Sequence, residues 1–250
     1  MKILVVGNGG REHAIIKSLK KSKNVREIYA IAGNGGIAED AKIVEGIAVT
    51  DIQAIADWAK QNKIDFAVVA PDDPLVLGAV DLLTEYKIPC FGPNKAAADI
   101  EGSKIFAKNL MKKYGIPTAE YQTFSRLDRA LKYLETAPIP TVIKADGLAL
   151  GKGVIIAQTR EEAIQAVTSM MKDKVFGKSG SKIVIEEFLT GPEVSVLSFT
   201  DGETLIPMVS SMDHKRARNN DEGLNTGGMA RSYVSAMTSR RAGASTASLS

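Results

Sequence analysis

Cysteine occurs once in 250 residues, at Cys90, so no disulfide within the chain can brace it and a reducing compartment is expected. Long apolar runs are missing as well. None approaches the ~20 consecutive residues of a membrane-spanning helix, and no membrane partner is expected. The only apolar run in the first ten residues is Ile3 to Val6, far short of the ~7–15-residue core of a secretory signal, and no small-residue cleavage site follows. A cytoplasmic address is the expectation. No internal repeat at a solenoid period is visible. What is present is ordinary for a globular protein, 44% hydrophobic and 24% charged, which excludes disordered and collagen-like classes. At ~100–200 residues per domain, the length fits one large or two small domains.

Acidic charge is absent from one stretch in particular. Lys and Arg exceed Asp and Glu by three over the whole chain. Residues 231–250 hold Arg231, Arg240 and Arg241 but no Lys, Asp or Glu. The excess therefore lies entirely in that segment, residues 1–230 are balanced, and no nucleic-acid partner is expected. The same twenty residues include six serines and no periodic apolar face. Such a composition buries too little apolar area to offset its ordering entropy, so disorder is expected there.

Residues 1–101 alternate short apolar runs with amphipathic stretches. Lys2 to Gly7, Ile28 to Ile31, Phe66 to Ala70 and Pro89 to Phe91 read as buried strands. Helical spacing runs over 11–21, 51–61 and 75–86, with Thr50 and Gln53 forming a capping box before the second. Strands alternating with helices predict a small doubly wound parallel sheet. Gly92, Pro93 and Asn94, then Gly102 and Ser103, punctuate its end, and a helix over 104–114 stops at Gly115 and Pro117. The next region has a different texture. Ser125 and Asp128 open a helix that Pro138 and Pro140 break, and strands follow at Thr141 to Lys144 and Val154 to Ala157. Thr159 and Glu162 cap a helix with Ala163, Val167 and Met170 on one face, and Ile183 to Phe188 and Val194 to Phe199 are further strands. This predicts an α+β unit distinct from the first. The expected organisation is an N-terminal parallel α/β domain over 1–101, a connecting helix and linker over 102–122, an α+β lid over 123–190, the start of a further sheet over 191–230, and the tail.

Six segments carry candidate chemistry. Gly7-Asn8-Gly9-Gly10 lies between a strand and a helix, where backbone amides can face an anion. It is not a dinucleotide fingerprint, because Glu12 stands at the third glycine position. His13 beside it reads more readily as a hydrogen-bonded helix-start residue than as a catalyst. Asp72 and Asp73 follow another strand and would either cap the next helix or recognise hydroxyls or an amine. Lys144 ends a strand before a turn holding Gly147, Gly151, Lys152 and Gly153; such glycines let amides approach phosphate oxygens and lysines add point charge. It is not a Walker loop, which would need a Gly-Lys-hydroxyl run opening a helix. Glu186 and Glu187 end another strand, with Phe188, Leu189 and Glu193 after them; that connector could read an adenine edge and a ribose, or could be solvated surface. Asp213-His214-Lys215-Arg216 and Asn225-Thr226-Gly227-Gly228-Met229 complete the set. In this order, beside strands, they favour a phosphate-handling enzyme.

Together with Phe91-Gly-Pro93, Glu101-Gly-Ser-Lys104, Ile116-Pro-Thr-Ala-Glu-Tyr121 and Ile185-Glu-Glu-Phe-Leu189, these segments resemble the phosphoribosylamine–glycine ligase (glycinamide ribonucleotide synthetase) family of ATP-grasp enzymes, from Met1 to about Met229. The resemblance implies ATP-dependent joining of glycine to 5-phosphoribosylamine through a glycyl phosphate, in purine biosynthesis. It also implies a doubly wound first domain, an ATP-grasp lid and the start of the central ATP-grasp sheet, with ATP and Mg²⁺ or Mn²⁺ as cofactors and a monomeric state. Lys104 and Lys144 would contact ATP phosphates. Gly147, Gly151, Lys152 and Gly153 would form the lid loop, Glu186, Glu187, Phe188 and Leu189 would cradle adenine, and Glu193 would take the ribose. Asn8, Gly9, Gly10 and Asp72 would lie near phosphoribosylamine, with Asp213, His214, Lys215, Thr226, Gly227 and Gly228 on the substrate side.

Departures from the family pattern are Asp72, where glutamate is usual, Leu150, where a small residue is usual, and everything after Met229. The Glu and Asn that hold the metal in the family have no counterpart here, so no metal ligand is expected in this chain, its central sheet is expected to be truncated, and little or no turnover is expected from it. Another ATP-grasp ligase would lack the Asp213 and Asn225 motifs side by side, an oxidoreductase would need glycine at Glu12, and a non-catalytic nucleotide-binding fragment remains the alternative from a different class.

Overall fold

The computed structural model describes residues 1–149, 153–218 and 222–232, with the backbone alone for 213–218 and 222–232. Two compact units result, Met1–Phe188 and Leu189–Ser250. The first begins with β1 (Lys2–Gly7), α1 (Gly10–Leu19), β2 (Glu27–Ala32), α2 (Gly35–Ala38), β3 (Lys42–Val44), α3 (Ile52–Gln61), β4 (Phe66–Val69), α4 (Asp72–Leu77), α5 (Ala79–Glu85) and β5 (Cys90–Phe91). All pairings are parallel and the strand order is β3-β2-β1-β4-β5, the doubly wound sheet expected. Alternation along β1 explains the two layers. Leu4 and Val6 pack with Ile55, Val69 and Leu83 on one face, while Ile3 and Val5 pack with Ile16, Ile28 and Val68 on the other.

The chain continues through α6 (Lys95–Gly102), α7 (Lys104–Lys113), β6 (Tyr121–Phe124), α8 (Leu127–Leu134), β7 (Thr141–Ala145), β8 (Val154–Ala157), α9 (Arg160–Met171) and β9 (Ile183–Glu187). Here the sheet is antiparallel, in the order β6-β9-β7-β8. Ile143, Ala145, Ile183 and Ile185 face a core shared with Ala163, Val167 and Met170 of α9 and with Leu134 of α8. Val142, Lys144, Val184 and Glu186 alternate with them and therefore occupy the opposite face. That alternation sets up the site. Among the described residues no helix is long and apolar enough to cross a membrane.

Some local expectations are corrected. The cap of α3 is Asp51, whose side chain accepts from Ala54 N at 3.0 Å, so the helix starts a residue later than Thr50 implied. Gln53 instead donates to Asp57 and the Tyr86 hydroxyl. The single helix expected over 75–86 is two, broken at Gly78, whose φ of 101° suits glycine and ends α4. Asp72 and Asp73 sit in the first turn of α4 behind Pro71 rather than at its cap. Thr159 does cap α9, accepting from Glu162 N, while Glu162 reaches back to Gln158 N at 2.7 Å.

In the second unit β10 (Ser198–Thr200) pairs with β11 (Leu205–Pro207), and β12 (Ser211–Arg218) pairs antiparallel with β13 (Glu222–Ser232). The strand expected over 194–199 begins only at Ser198; Ser195 makes an isolated bridge to Ser211. The two motifs read as loops, at Asp213 and Asn225, are strand residues. Leu197, Leu205, Ile206 and Val209 remain largely exposed on this unit. Arg231 and Ser232 belong to β13, and the rest of the expected disordered tail lies outside the described residues.

Candidate functional site

Helical periodicity on α7 puts Lys104, Ala107, Lys108 and Met111 on one face. That face meets the side of the antiparallel sheet carrying Lys144, Val154, Val184 and Glu186, and Ile100 and Glu101 of α6 complete a cleft of about 240 Å³. Lys144 stands opposite Val184 and Glu186 opposite Val142, so the lysine and the acid are diagonal neighbours, within reach of long side chains. Lys144 Nζ is ion-paired to Glu186 Oε1, and Lys108 Nζ lies 2.6 Å from Glu186 Oε2. Glu186 and Lys108 are buried, whereas the Lys144 side chain keeps 29% of its exposure. Lys108 also donates to Thr118 Oγ1 at 2.7 Å and Ala119 O at 3.2 Å, and its ammonium lies 5.4 Å from the centre of the Tyr121 ring.

Lys104 is placed by the start of α7. Ser103 Oγ accepts from Phe106 N and donates to Asp146 Oδ1 at 2.9 Å, which also accepts from Ile105 N at 2.8 Å. The helix terminus is thus closed by a carboxylate from the end of β7. Lys104 Nζ donates to Gly147 O at 3.1 Å, and burial, with the like charge of Lys144, holds its pKa below the ordinary lysine value against the pull of Glu101 and Asp146. Gly147 itself has no room for a side chain, since a Cβ would stand 2.5 Å from Ser179 Oγ. Cations converging on a cleft beside a tight glycine turn suit an anionic ligand.

A second cluster lies at the carboxyl ends of β1 and β4, the point at which the parallel sheet changes direction. Asn8, Gly9 and Gly10 follow β1 and Asp72 follows β4; the loops touch, since a Cβ on Gly7 would meet Pro71 Cγ at 3.0 Å. Glu12 folds back over this loop and accepts from Gly9 N at 2.6 Å, which gives the acid at the third glycine position a structural task. His13 is occupied too, with Nε2 2.8 Å from Asp40 Oδ2.

The structure therefore brings Lys104, Lys144, Gly147 and Glu186 together, and separately Asn8, Gly9, Gly10 and Asp72. Gly153 is buried next to Val154, a cleft residue; Gly151 and Lys152 lie outside the described residues. Glu187 is exposed, with its backbone N donating to Glu120 O, and Phe188 ends the first unit. Leu189 and Glu193 open the second unit. There Asp213 and His214 pair with Ala230 and Met229, Lys215 lies in the same strand, and Thr226, Gly227 and Gly228 lie on β13. Sequence reasoning missed Lys108 and the role of Asp146. The signal for Lys108 was its spacing of four from Lys104 on an amphipathic helix.

The family model for the phosphoribosylglycinamide synthetase N domain matches residues 1–101, and that for the phosphoribosylglycinamide synthetase ATP-grasp (A) domain matches 102–246, past the change of composition at Ala230. The chain is 47% identical over 229 residues to the phosphoribosylamine–glycine ligase of Streptococcus pneumoniae serotype 4, covering 92% of this chain and 54% of that protein. It spans about half the length of the curated relatives it matches. The crystal structure of phosphoribosylamine–glycine ligase from Thermotoga maritima superposes with a TM-score of 0.76 at 32% identity, over 92% of this chain and 54% of that one. The biotin carboxylase domain of Hydrogenobacter thermophilus 2-oxoglutarate carboxylase shares the fold alone, at 19% identity and a TM-score of 0.69 over 88% and 51% of the two chains.

Proposed function

The chain belongs to the phosphoribosylglycinamide synthetase family, and from that premise we propose that it serves the ATP-dependent ligation of glycine to 5-phosphoribosylamine. The products are glycinamide ribonucleotide, ADP and phosphate, formed through a glycyl phosphate. The observation that carries the reading is the convergence of Lys104, Lys144 and Glu186 on one cleft beside the Gly147 turn. ATP fits this donor set: three lysines line the cleft, Lys104 with its ammonium destabilised by burial, and such a group gains most from a phosphate oxygen. ATP supplies the activation of the carboxylate. The chain's part is to place phosphate oxygens against Lys104 and Lys144 and to keep the glycine turn close to them. The Asn8 to Gly10 loop and Asp72, at the switch point of the parallel sheet, suit a phosphorylated amino sugar. Among the described residues no group of three or more His, Cys, Asp or Glu could hold a metal ion. The same proposal carries a cytoplasmic site of action.

Calorimetric titration of the 250-residue chain with ATP, ADP and adenosine tests the nucleotide part. Heat from ATP that is lost in Lys144→Met supports it, and no heat from any of the three overturns it. ADP release that requires both glycine and 5-phosphoribosylamine supports the ligase assignment; release that requires a different carboxylate and amine redirects it to another ligase of the same fold.

A further inference from the structure

Lys108 is the buried titratable group for which neither the sequence motifs nor the proposed chemistry has a use. It lies four residues along α7 from Lys104, its side chain is 9% exposed, and it does not face solvent as a helix-surface lysine does. Burying an ammonium is unfavourable unless a partner compensates it, so a lysine in this position needs a reason. Its hydrogen bonds go to Thr118 Oγ1 and Ala119 O, and both are neutral. The charge it meets is Glu186.

Glu186 has two oxygens and two lysines, with Oε2 against Lys108 and Oε1 against Lys144. The charges lining the cleft are Glu101, Lys104, Lys108, Lys144 and Glu186, a net of one positive charge. Asp146 lies outside this lining and acts on Lys104 by its charge, unchanged in every variant below, while its Oδ1 accepts from Ser103 Oγ and Ile105 N. Without Lys108 the lining would be neutral, and Glu186 would neutralise Lys144 alone. We infer that Lys108 is a positioning residue that supplies the counter-charge for Glu186, so that the Lys144 ammonium meets a polyphosphate with its charge uncompensated. The inference rests on the reading of the cleft as a nucleotide-phosphate site. It assigns Lys108 a part in anion affinity without contact with the anion, and Glu186 the part of a restraint on it.

The test compares binding of inorganic tripolyphosphate, ATP and adenosine, by calorimetry, to the wild-type 250-residue chain and to Lys108→Met, Lys108→Arg, Glu186→Gln and the Lys108→Met/Glu186→Gln double variant. A unit charge at this range in a partly buried cleft changes anion affinity by roughly tenfold. Lys108→Met weakens tripolyphosphate and ATP by about that factor and leaves adenosine unchanged, while Lys108→Arg stays near wild type. Glu186→Gln strengthens tripolyphosphate by about the same factor, and the double variant, whose lining has the wild-type net charge, returns to wild-type affinity. A merely structural ion pair would also recover in the double variant, but it would give no gain of tripolyphosphate affinity in Glu186→Gln. Where Lys108→Met does not fold, the gain in Glu186→Gln and the return in the double variant decide the matter. Unchanged tripolyphosphate affinity in Glu186→Gln, or a double variant as weak as Lys108→Met, overturns the inference while wild-type ATP binding leaves the nucleotide reading intact. Wild-type binding of tripolyphosphate without ATP overturns the nucleotide reading alone, and binding of neither overturns both.

Discussion

Ser103 Oγ donates to Asp146 Oδ1 at 2.9 Å, tying the first turn of α7 to the end of the strand that presents Lys144. The elements that carry Lys104 and Lys144 are therefore tied by this side-chain bond, 43 positions apart in sequence, and by Lys104 N and Ile105 N donating to Asp146. Ser103→Ala removes both this bond and the cap on Phe106 N, and is expected to cost about 1 kcal/mol, within the ~0.5–2 kcal/mol of lost N-caps. Chemical denaturation measures it. Asp146→Asn keeps an acceptor and loses only the charge at the helix terminus, so its cost should be smaller, about 0.3–1 kcal/mol.

Glu186→Ala leaves Lys108 buried without its counter-charge. Removing one partner of a buried ion pair typically costs about 3–5 kcal/mol, and a loss of that order is expected in urea unfolding. Lys144→Met should cost far less, on the order of 1 kcal/mol, because that side chain remains partly hydrated and Glu186 keeps Lys108. Equal losses in the two variants would contradict the buried arrangement.

Phosphate binding should weaken with rising pH earlier than an ordinary lysine would dictate. The Lys104 pKa is held below its usual value of 10.5, chiefly by burial, and a phosphate needs the protonated form. Affinity is therefore full below the folded-state pKa of Lys104 and is lost as pH rises through it. ATP titrations from neutral to alkaline pH should show this decline, and Lys104→Arg should flatten it, because guanidinium stays charged throughout.

Two glycines should behave oppositely when replaced by alanine. At Gly180 a Cβ would stand 2.5 Å from the backbone oxygen of Met170, and the resulting overpacking should cost about 1–3 kcal/mol. At Gly10, at the start of α1, a Cβ meets nothing within 4 Å, and the variant should gain about 0.4–1 kcal/mol by restricting the unfolded chain. Melting temperatures of the two variants, one falling and one rising, check this.

Acid should unfold the first domain partly through Glu27 and Asp40. Tyr29 and Lys42 hold the Glu27 pKa at about 2, and Lys20 and His13 hold that of Asp40 at about 2. Both values lie below the unfolded ones of 4.5 and 3.8, so their stabilising contribution is present above those values and disappears as pH falls toward 2. Glu27→Gln and Asp40→Asn should each lower the melting temperature at neutral pH and narrow the gap between pH 6 and pH 2.

The parallel sheet was legible because each of its main strands is a short β-branched run with polar helices around it, as in Ile3 to Val6 and Phe66 to Val69. Lys144 and Glu186 were legible because each sits at the end of a strand, Lys144 before a glycine turn, whereas Lys104 came from the family resemblance alone. Lys108 was not, since a lysine inside a helix reads as solvated until the strand that faces it is known. The pairing of β12 with β13 was hidden for a related reason: Asp213 to Arg216 is polar throughout, and only its register with Glu222 to Ser232 makes it a strand. Gly78 was overlooked because helical spacing continues across it, while its positive φ splits the helix.

Glu12 closes the Gly9 amide with its own carboxylate and fills the space above Gly7, where a Cβ would come within 2.4 Å of its Cγ. The first loop thus carries a built-in competitor for any diphosphate, in the place where a dinucleotide would settle. Replacing Glu12 by glycine would open the amide and at the same moment empty the volume that shapes the turn. An anion can reach the Gly9 amide only by displacing this carboxylate, so the side chain that shapes the turn also guards it.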